Sequence, residues 1–305
     1  METVATIGFF DGVHKGHQYL IRHVAEVARK EGRRAMILTF DKHPRAVIHS
    51  DFQPQLLSTK DEKVRRILEL EPNCQVVVLN FEEVAMMTAR DFMEQWLRDK
   101  AEVKSLITGY DNRFGHNRSE GFEDYKKYGE KLGIRVERWE PFAIGGINIS
   151  SSVIRAFISD GEIAMANRCL GYHYAIEGIV ERGEHIGTGI GFPTANIRIE
   201  ESSKLIPKNG VYAVRVLLLD NDGMELIKGS WDGMMNIGSR PTFEGRATTM
   251  EVNLFDFSGD LYGQRLRVEM VERLREERRF RNSRELTAQL RRDATAASNK
   301  LKDKG

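Results

Sequence analysis

A chain of 305 residues with a formal net charge of +1 has room for two domains and no net field with which to hold nucleic acid. Hydrophobic content of 41% and charged content of 30% are those of a soluble globular protein. No apolar run is long enough to cross a bilayer, and no basic-then-apolar leader is present, so no membrane is expected as a partner. Two cysteines, Cys74 and Cys169, lie far apart without metal-ligand spacing and read as structural thiols in a reducing cytoplasm.

The first apolar run, Val4-Ala5-Thr6-Ile7, reads as a buried strand. It leads through Gly8-Phe9-Phe10-Asp11-Gly12-Val13-His14-Lys15-Gly16-His17 into Tyr19 to Arg29, where apolar residues recur at helical spacing. Two histidines and three glycines thus stand at a strand-to-helix turn, where open α/β sheets bind ligands. Glycine lets the backbone approach an anion, and a helix amino end offers that anion free N–H groups. His14 and His17 share one face of a first helical turn, suited to holding nucleotide phosphates and stabilising charge developing on an α-phosphate. A glycine turn with two surface histidines is the plainer alternative. The missing Lys-Ser/Thr pair excludes a Walker-type loop, and a dinucleotide fingerprint fits poorly.

Arg34 to Phe40 reads as a second strand, ending in Asp41-Lys42-His43-Pro44-Arg45. That loop suits a ligand and suits a solvated proline turn equally. Lys60 to Leu70 is an amphipathic helix, and Gln75 to Phe81 is a third strand apolar enough to be covered on both faces. Thr88 to Leu97 is a helix with Thr88 as its cap and Asp91 three residues on. Val103 to Gly109 is a fourth strand, running into a loop that carries Asp111, Asn112, Arg113 and Arg118. Phosphate or adenine contact and simple solvation both remain open there. Glu123 to Leu132 is helical, and Ile134 to Trp139 is a fifth strand. Strands alternating with helices predict a parallel, doubly wound sheet. Ser150-Ser151-Ser152 then open a helix reaching Ile158. One serine is enough for an N-cap; three, with Arg155 on the next turn, suit the β- and γ-phosphates of a triphosphate.

Leu170 to Tyr174 reads as a join, after which the pattern changes. Ile176 to Gly183 alternates like a half-buried strand; Val211 to Leu219, Leu226 to Met235, Met250 to Phe257 and Arg265 to Val271 add further strands, with a hairpin turn at Asp220-Asn221-Asp222-Gly223. Short strands without intervening helices predict a closed antiparallel barrel, and Ser283 to Lys300 an amphipathic helix packed on it. The glycine-rich run Gly187-Thr188-Gly189-Ile190-Gly191-Phe192-Pro193-Thr194-Ala195-Asn196 can wrap phosphates, with Thr194 and Asn196 as hard oxygen donors for Mg²⁺. Glu251, in Thr249 to Phe257, shares a strand face with Asn253 and Phe255 and could act as a general base; pattern alone favours a solvent-facing carboxylate.

Four motifs of the first half carry a resemblance: Gly-x-Phe-Asp-Gly-x-His-x-Gly-His, Phe-Asp-x-His-Pro, Gly-x-Asp-x-x-Phe-Gly and Ile-Ser-Ser-x-x-Ile-Arg. In this order they resemble the nucleotidyltransferase module of the bacterial bifunctional riboflavin kinase/FAD synthetases. Gly-Phe-Pro-Thr-Ala-Asn, Gly-Val-Tyr-Ala-Val, Asn-Ile-Gly-Ser-Arg-Pro-Thr-Phe, Glu-Val-Asn-Leu-Phe-Asp-Phe and Leu-Tyr-Gly resemble the riboflavin kinase module of the same family. The resemblance implies a Rossmann-like α/β nucleotidyltransferase domain with a parallel sheet over residues 1–171, then an antiparallel Greek-key β-barrel with a C-terminal helix over 172–305.

It further implies two reactions: riboflavin and ATP give FMN, then AMP passes from ATP to FMN to give FAD and pyrophosphate. His14 and His17 would contact the ATP phosphates as catalytic groups, within a site of Gly8, Phe10, Asp11, Gly12, Asn112, Arg113, Ser150, Ser151 and Arg155. Asp41, His43 and Pro44 would lie toward the flavin or adenine side. In the kinase module Gly187, Gly189, Gly191, Pro193, Thr194 and Asn196 would bind Mg²⁺–ATP, with Thr194 and Asn196 on the metal. Glu251 would be the catalytic base, and Arg275 part of a segment closing over the flavin. Thr188 stands where the family commonly has arginine, which shifts phosphate binding toward backbone N–H groups and Mg²⁺. The partners implied are riboflavin, FMN and ATP, handled by a cytoplasmic monomer or weak self-associator. The competing readings are a riboflavin kinase with a weak or differently specific adenylyltransferase half, and a non-catalytic flavin- or nucleotide-binding regulator.

Overall fold

Every residue of the first strand, β1 (Thr3–Ile7), is buried, because it is the middle strand of a five-stranded parallel sheet. The computed structural model describes residues 1–302 except 49–50, 52, 111, 117–118, 184–188, 221–228 and 243–244, and the chain divides into two compact units, Met1–Ser151 and Ser152–Gly305. Gly187, Thr188, Asp111, Arg118 and the expected hairpin turn after Asp220 thus lie outside the described residues.

In the first unit the chain runs α1 (Lys15–Lys30), β2 (Arg34–Phe40), α2 (Pro44–Ile48), α3 (Lys60–Leu70), β3 (Gln75–Leu79), α4 (Phe81–Val84), α5 (Ala89–Phe92), β4 (Val103–Thr108), α6 (Phe122–Leu132) and β5 (Arg135–Arg138). The sheet order is β3-β2-β1-β4-β5. The connections therefore diverge between β1 and β4, and the crevice at their carboxyl ends is where such a sheet accepts a ligand. Val4, Ile37 and Ile107 pack against Ile21 and Val24 of α1 on one face. Ala5, Ile7 and Leu106 pack against Phe92, Met93 and Tyr125 on the other.

Local signals explain most boundaries. The Thr88 hydroxyl accepts from the Asp91 N–H at 3.1 Å, as the spacing predicts. The helix it starts changes to π-helical turns over Met93–Lys100. The third strand stops two residues short of the expected Phe81, because the Asn80 side chain accepts from the Glu82 N–H at 3.0 Å and caps α4. α3 starts on a capping box: the Thr59 hydroxyl accepts from the Glu62 N–H at 3.2 Å, and the Glu62 carboxylate accepts from the Thr59 N–H at 2.9 Å. A short hairpin, β6 (Ala143–Ile144) with β7 (Ile147–Asn148), precedes α7 (Ser151–Asp160) and had no clear signal in the sequence.

α8 (Ile163–Leu170) follows, then β8 (Ala175–Glu181), β9 (Ala195–Arg198), β10 (Gly210–Leu218), β11 (Gly229–Thr242), β12 (Gly245–Leu254), β13 (Arg265–Arg275) and the C-terminal helix α9 (Ser283–Lys302). The strands close into a barrel in the order β10-β11-β12-β9-β8-β13. β9 returns beside β12 rather than beside β10, the over-and-back path of a Greek key. The two units part at Ser151/Ser152, ahead of the join expected at 171/172, and α8 is tied to the barrel. Asn167 donates to the Met270 carbonyl at 2.8 Å and accepts from the Tyr174 N–H at 2.7 Å. α9 lays Ala297 and Leu301 on Ala213, Met234 and Val271 of the barrel wall.

Candidate active sites

The loop after β1 is held in an unusual conformation. Phe10, Gly12 and Val13 have φ of 53°, 73° and 36°. A β-branched residue at positive φ is strained, and such strain persists only where the surroundings impose it. Asp11 does the imposing. Its buried carboxylate accepts from the Leu57 N–H at 2.9 Å and the Ser58 N–H at 3.1 Å, while the Gly12 N–H donates to the Ser58 hydroxyl at 2.9 Å. On the other side the Ser151 hydroxyl donates to the Asp11 carbonyl at 3.0 Å. Asp11 and Ser151, both expected at the nucleotide, thus each have a measurable job in shaping the loop.

His14 is the N-cap of α1: its Nδ1 accepts from the His17 N–H at 3.3 Å. An accepting Nδ1 carries no proton, so the ring's proton is on Nε2. The His14 and His17 rings stack with centroids 3.6 Å apart, and Phe10 meets His17 edge-on at 5.2 Å. A Cβ on Gly16 would come within 3.2 Å of the His14 ring, so glycine makes room for the stack. Burial first, then the proximity of His14 and of the Lys63 ammonium, hold the His17 pKa well below its ordinary value. His17 is therefore uncharged at neutral pH, and its buried Nδ1 has no hydrogen-bond partner among the described residues.

The neighbouring loops come from carboxyl ends of the same sheet. Asp41, just after β2, accepts from the Phe81 N–H at 2.9 Å and donates its own N–H to the Leu79 carbonyl at 3.0 Å, tying two loops together. His43 meets the Phe9 ring edge-on at 4.8 Å, and Pro44 opens α2. After β4, the Asn112 side chain donates to the Ile7 carbonyl at the end of β1, and Arg113 is exposed. Gly8 donates its N–H to the Leu38 carbonyl at 3.0 Å. Ser150 immediately precedes α7, and Arg155 lies on it.

One functional candidate escaped the sequence. Lys63 on α3 is 2% exposed. Its ammonium donates to the Phe9 carbonyl at 2.9 Å and the Phe40 carbonyl at 3.0 Å, and it lies 4.0 Å from the Phe9 ring centre. Burial pushes its pKa down to about 8, with the charges of Asp11 and Asp41 opposing the shift. In the sequence it is one charged residue among several on an amphipathic helix, and nothing marks it as buried.

The second site is a cavity of about 260 Å³ in the barrel unit. Every second residue from Ile190 to Asn196 lines it, the period of extended chain, so Thr194 and Asn196 face the same space as Glu251. Glu251 pairs in register with Asn196 of β9 and with Asn236 of β11, placing three polar side chains in one row across three strands. A Cβ on Gly183 would lie 2.0 Å from the Asn196 amide nitrogen, so that glycine lets the amide fit. Asn253, on the cavity wall, donates to the Pro193 carbonyl at 2.7 Å and fixes the loop bearing Thr194. Gly189 and Gly191 are exposed on that loop.

Arg275 lines the cavity, but its guanidinium is already engaged. Two of its nitrogens reach the Asp293 carboxylate of α9 at 3.0 and 2.7 Å. Asp293 is 3% exposed and also accepts from Gln289 at 2.7 Å. The pair fastens the segment after β13, which places Arg278 and Phe280 on the cavity, to the C-terminal helix. Asp293→Asn leaves that guanidinium without its counter-charge, and removing one partner of a buried pair costs about 3–5 kcal/mol. Thermal or denaturant unfolding should show this loss in the barrel unit.

A parallel sheet with a glycine-bearing loop at its carboxyl edge, followed by a closed barrel whose mostly apolar cavity holds a glutamate, is the architecture of a two-domain transferase of the class that the family comparisons show. Residues 1–153 match the FAD synthetase family model, and residues 170–301 match the riboflavin kinase family model. The chain belongs to the bifunctional riboflavin kinase/FMN adenylyltransferase family, which phosphorylates riboflavin to FMN and transfers AMP from ATP to FMN. It is 36% identical to the protein of that name from Escherichia coli strain K12 over 96% of this chain and 91% of the relative. It is 33% identical to the Bacillus subtilis strain 168 protein of the same name over 97% and 92%. The solved structure of a macrolide-efflux protein from Streptococcus pneumoniae is similar with a TM-score of 0.85 and 30% identity, covering 96% of this chain and 92% of that one. That protein's name describes transport; among the described residues here, no helix is long and apolar enough to cross a membrane.

Proposed function

We infer that the two reactions run at the two sites described: adenylyl transfer at the carboxyl edge of the sheet, riboflavin phosphorylation in the barrel cavity. The observation that carries this is their segregation. The stacked His14–His17 pair belongs to one unit, and Glu251, with Thr194 and Asn196, belongs to the other. In the first site the two imidazoles donate N–H hydrogen bonds to ATP phosphates, with Asn112, Arg113 and Ser150 around them and the Asp41-to-Pro44 loop toward the flavin. FMN brings its own phosphate as nucleophile, so this step needs positioning and charge stabilisation rather than a base. In the second site Glu251 accepts the proton of the riboflavin hydroxyl as it attacks the γ-phosphate.

The oxygen donors of Thr194 and Asn196 fit Mg²⁺, a hard cation satisfied by oxygen ligands and phosphate. Bound there, Mg²⁺ would neutralise charge on the phosphates. Two buried, free cysteines suit a reducing cytoplasm, in which we take the chain to act as a monomer or weak self-associator. The test is an assay of the purified chain with riboflavin, ATP and Mg²⁺, following FMN and FAD separately. Excess chelator should stop both steps and restored Mg²⁺ should recover them; turnover persisting in chelator would remove Mg²⁺ from the reading.

A further inference from the structure

We propose that Lys63 is a positioning residue of the adenylyl-transfer site, a buried ammonium that clamps the carboxyl ends of β1 and β2 together and sets a positive field beneath His14 and His17. The proposal rests on the reading that this loop is the adenylyl-transfer site.

The geometry is that of a clamp. The Phe9 carbonyl belongs to the loop that carries the histidines, and it accepts from Lys63 at 2.9 Å and from the Thr39 hydroxyl at 3.0 Å. The Phe40 carbonyl is the last of β2, immediately before Asp41, and accepts from the same ammonium at 3.0 Å. The Phe9 ring extends the connection, with Lys63 4.0 Å from its centre and His43 edge-on at 4.8 Å. One side chain thus touches the roots of both loops expected around nucleotide and flavin. The capping box at Thr59 and Glu62 fixes the first turn of α3, and Lys63 is the next residue.

A clamp alone would not call for a charge. Burying an ammonium is costly, and a polar or apolar side chain of like length fills the same space at lower cost. The charge has identifiable neighbours. Asp11 and Asp41, one from each loop, both stabilise it. The titratable groups acting on His17 are His14 from its own loop and Lys63 from α3, and both hold His17 in its neutral form. Removing the Lys63 charge therefore lets His17 protonate at higher pH. A clamp without an electrostatic role leaves that titration where it is.

The experiment uses the full chain and three variants, Lys63→Met, Lys63→Arg and His17→Ala, with riboflavin phosphorylation as the control for folding. Lys63→Met should lower kcat/KM for FMN to FAD by roughly 10- to 100-fold, the scale of a sub-ångström to ångström misplacement, while riboflavin phosphorylation is unchanged. The acid limb of its kcat/KM–pH profile should also move to higher pH. Lys63→Arg keeps the charge and should keep the limb in place, so it tests the field even if the methionine variant folds poorly. Full activity in Lys63→Met, or a loss with the limb unmoved, overturns the proposal. FMN-to-FAD activity surviving in His17→Ala overturns instead the assignment of the site on which it rests.

Discussion

Replacing Glu251 by glutamine should remove FMN formation while leaving conversion of added FMN to FAD intact. Glutamine keeps the length and hydrogen-bonding capacity of glutamate and loses the ability to accept a proton. A positioned general base contributes roughly 10²- to 10⁴-fold, so riboflavin phosphorylation should fall by that order with little change in the KM for ATP. The argument depends on rigidity. Glu251 sits on β12 between register partners on both sides, Asn236 and Asn196, so its carboxylate is carried by a closed sheet rather than by a loop. The check is a pair of assays on one preparation, riboflavin to FMN and FMN to FAD. A parallel loss of both in a folded protein would mean that the sites are not independent.

The same row of residues shows what the sequence could and could not convey. Period two places Glu251 and Asn253 on one face, and that was legible. That Glu251 faces a cavity rather than solvent depends on closure: β9 comes to lie against β12, and β9 is a four-residue strand with weak local signal. Asn236 was invisible for the same reason, and so was the hydrogen bond from Asn253 to the Pro193 carbonyl, since these neighbours come from distant parts of the chain. Arg275 shows the converse. Its motif pointed to the flavin, but its main partner is Asp293, on a helix whose buried face carries a carboxylate that amphipathic patterning assigns to solvent.

In the first unit the parallel sheet was legible because strands alternate with helices along the chain and the first three strands are rich in apolar residues. The loops at the carboxyl ends were legible for that reason too. Their internal wiring was not. Asp11 and Asp41 read as ligand-facing carboxylates, and the hydrogen bonds that each makes to a neighbouring loop link residues 40 or more apart in sequence. Lys63 is the extreme case: helical periodicity places it, and only the packing of α3 under β1 and β2 makes it a buried cation.

His17→Ala should remove FAD formation and spare FMN formation, the reverse of the Glu251 result. Removing one preorganised donor to a developing oxyanion costs roughly 10²- to 10³-fold in kcat. His17 has few other duties to confound the outcome, because its Nδ1 has no partner among the described residues and its backbone N–H, which binds His14, survives the substitution. The depressed pKa of His17 adds a second, independent reading in the absence of substrate. The unfolded chain protonates it near the ordinary value of about 6.5 and the folded chain does so only at lower pH, so the unfolded state binds the extra proton first. The stability that the neutral ring confers is complete above pH 6.5 and is lost as the pH falls from there toward the folded-state value. Denaturant unfolding across that window should show wild type losing stability faster than His17→Ala, with the two curves parallel above it. Equal slopes throughout would mean that the ring titrates in the folded protein as it does in water, and the desolvated, neutral imidazole on which the adenylyl-transfer site is built would have to be abandoned.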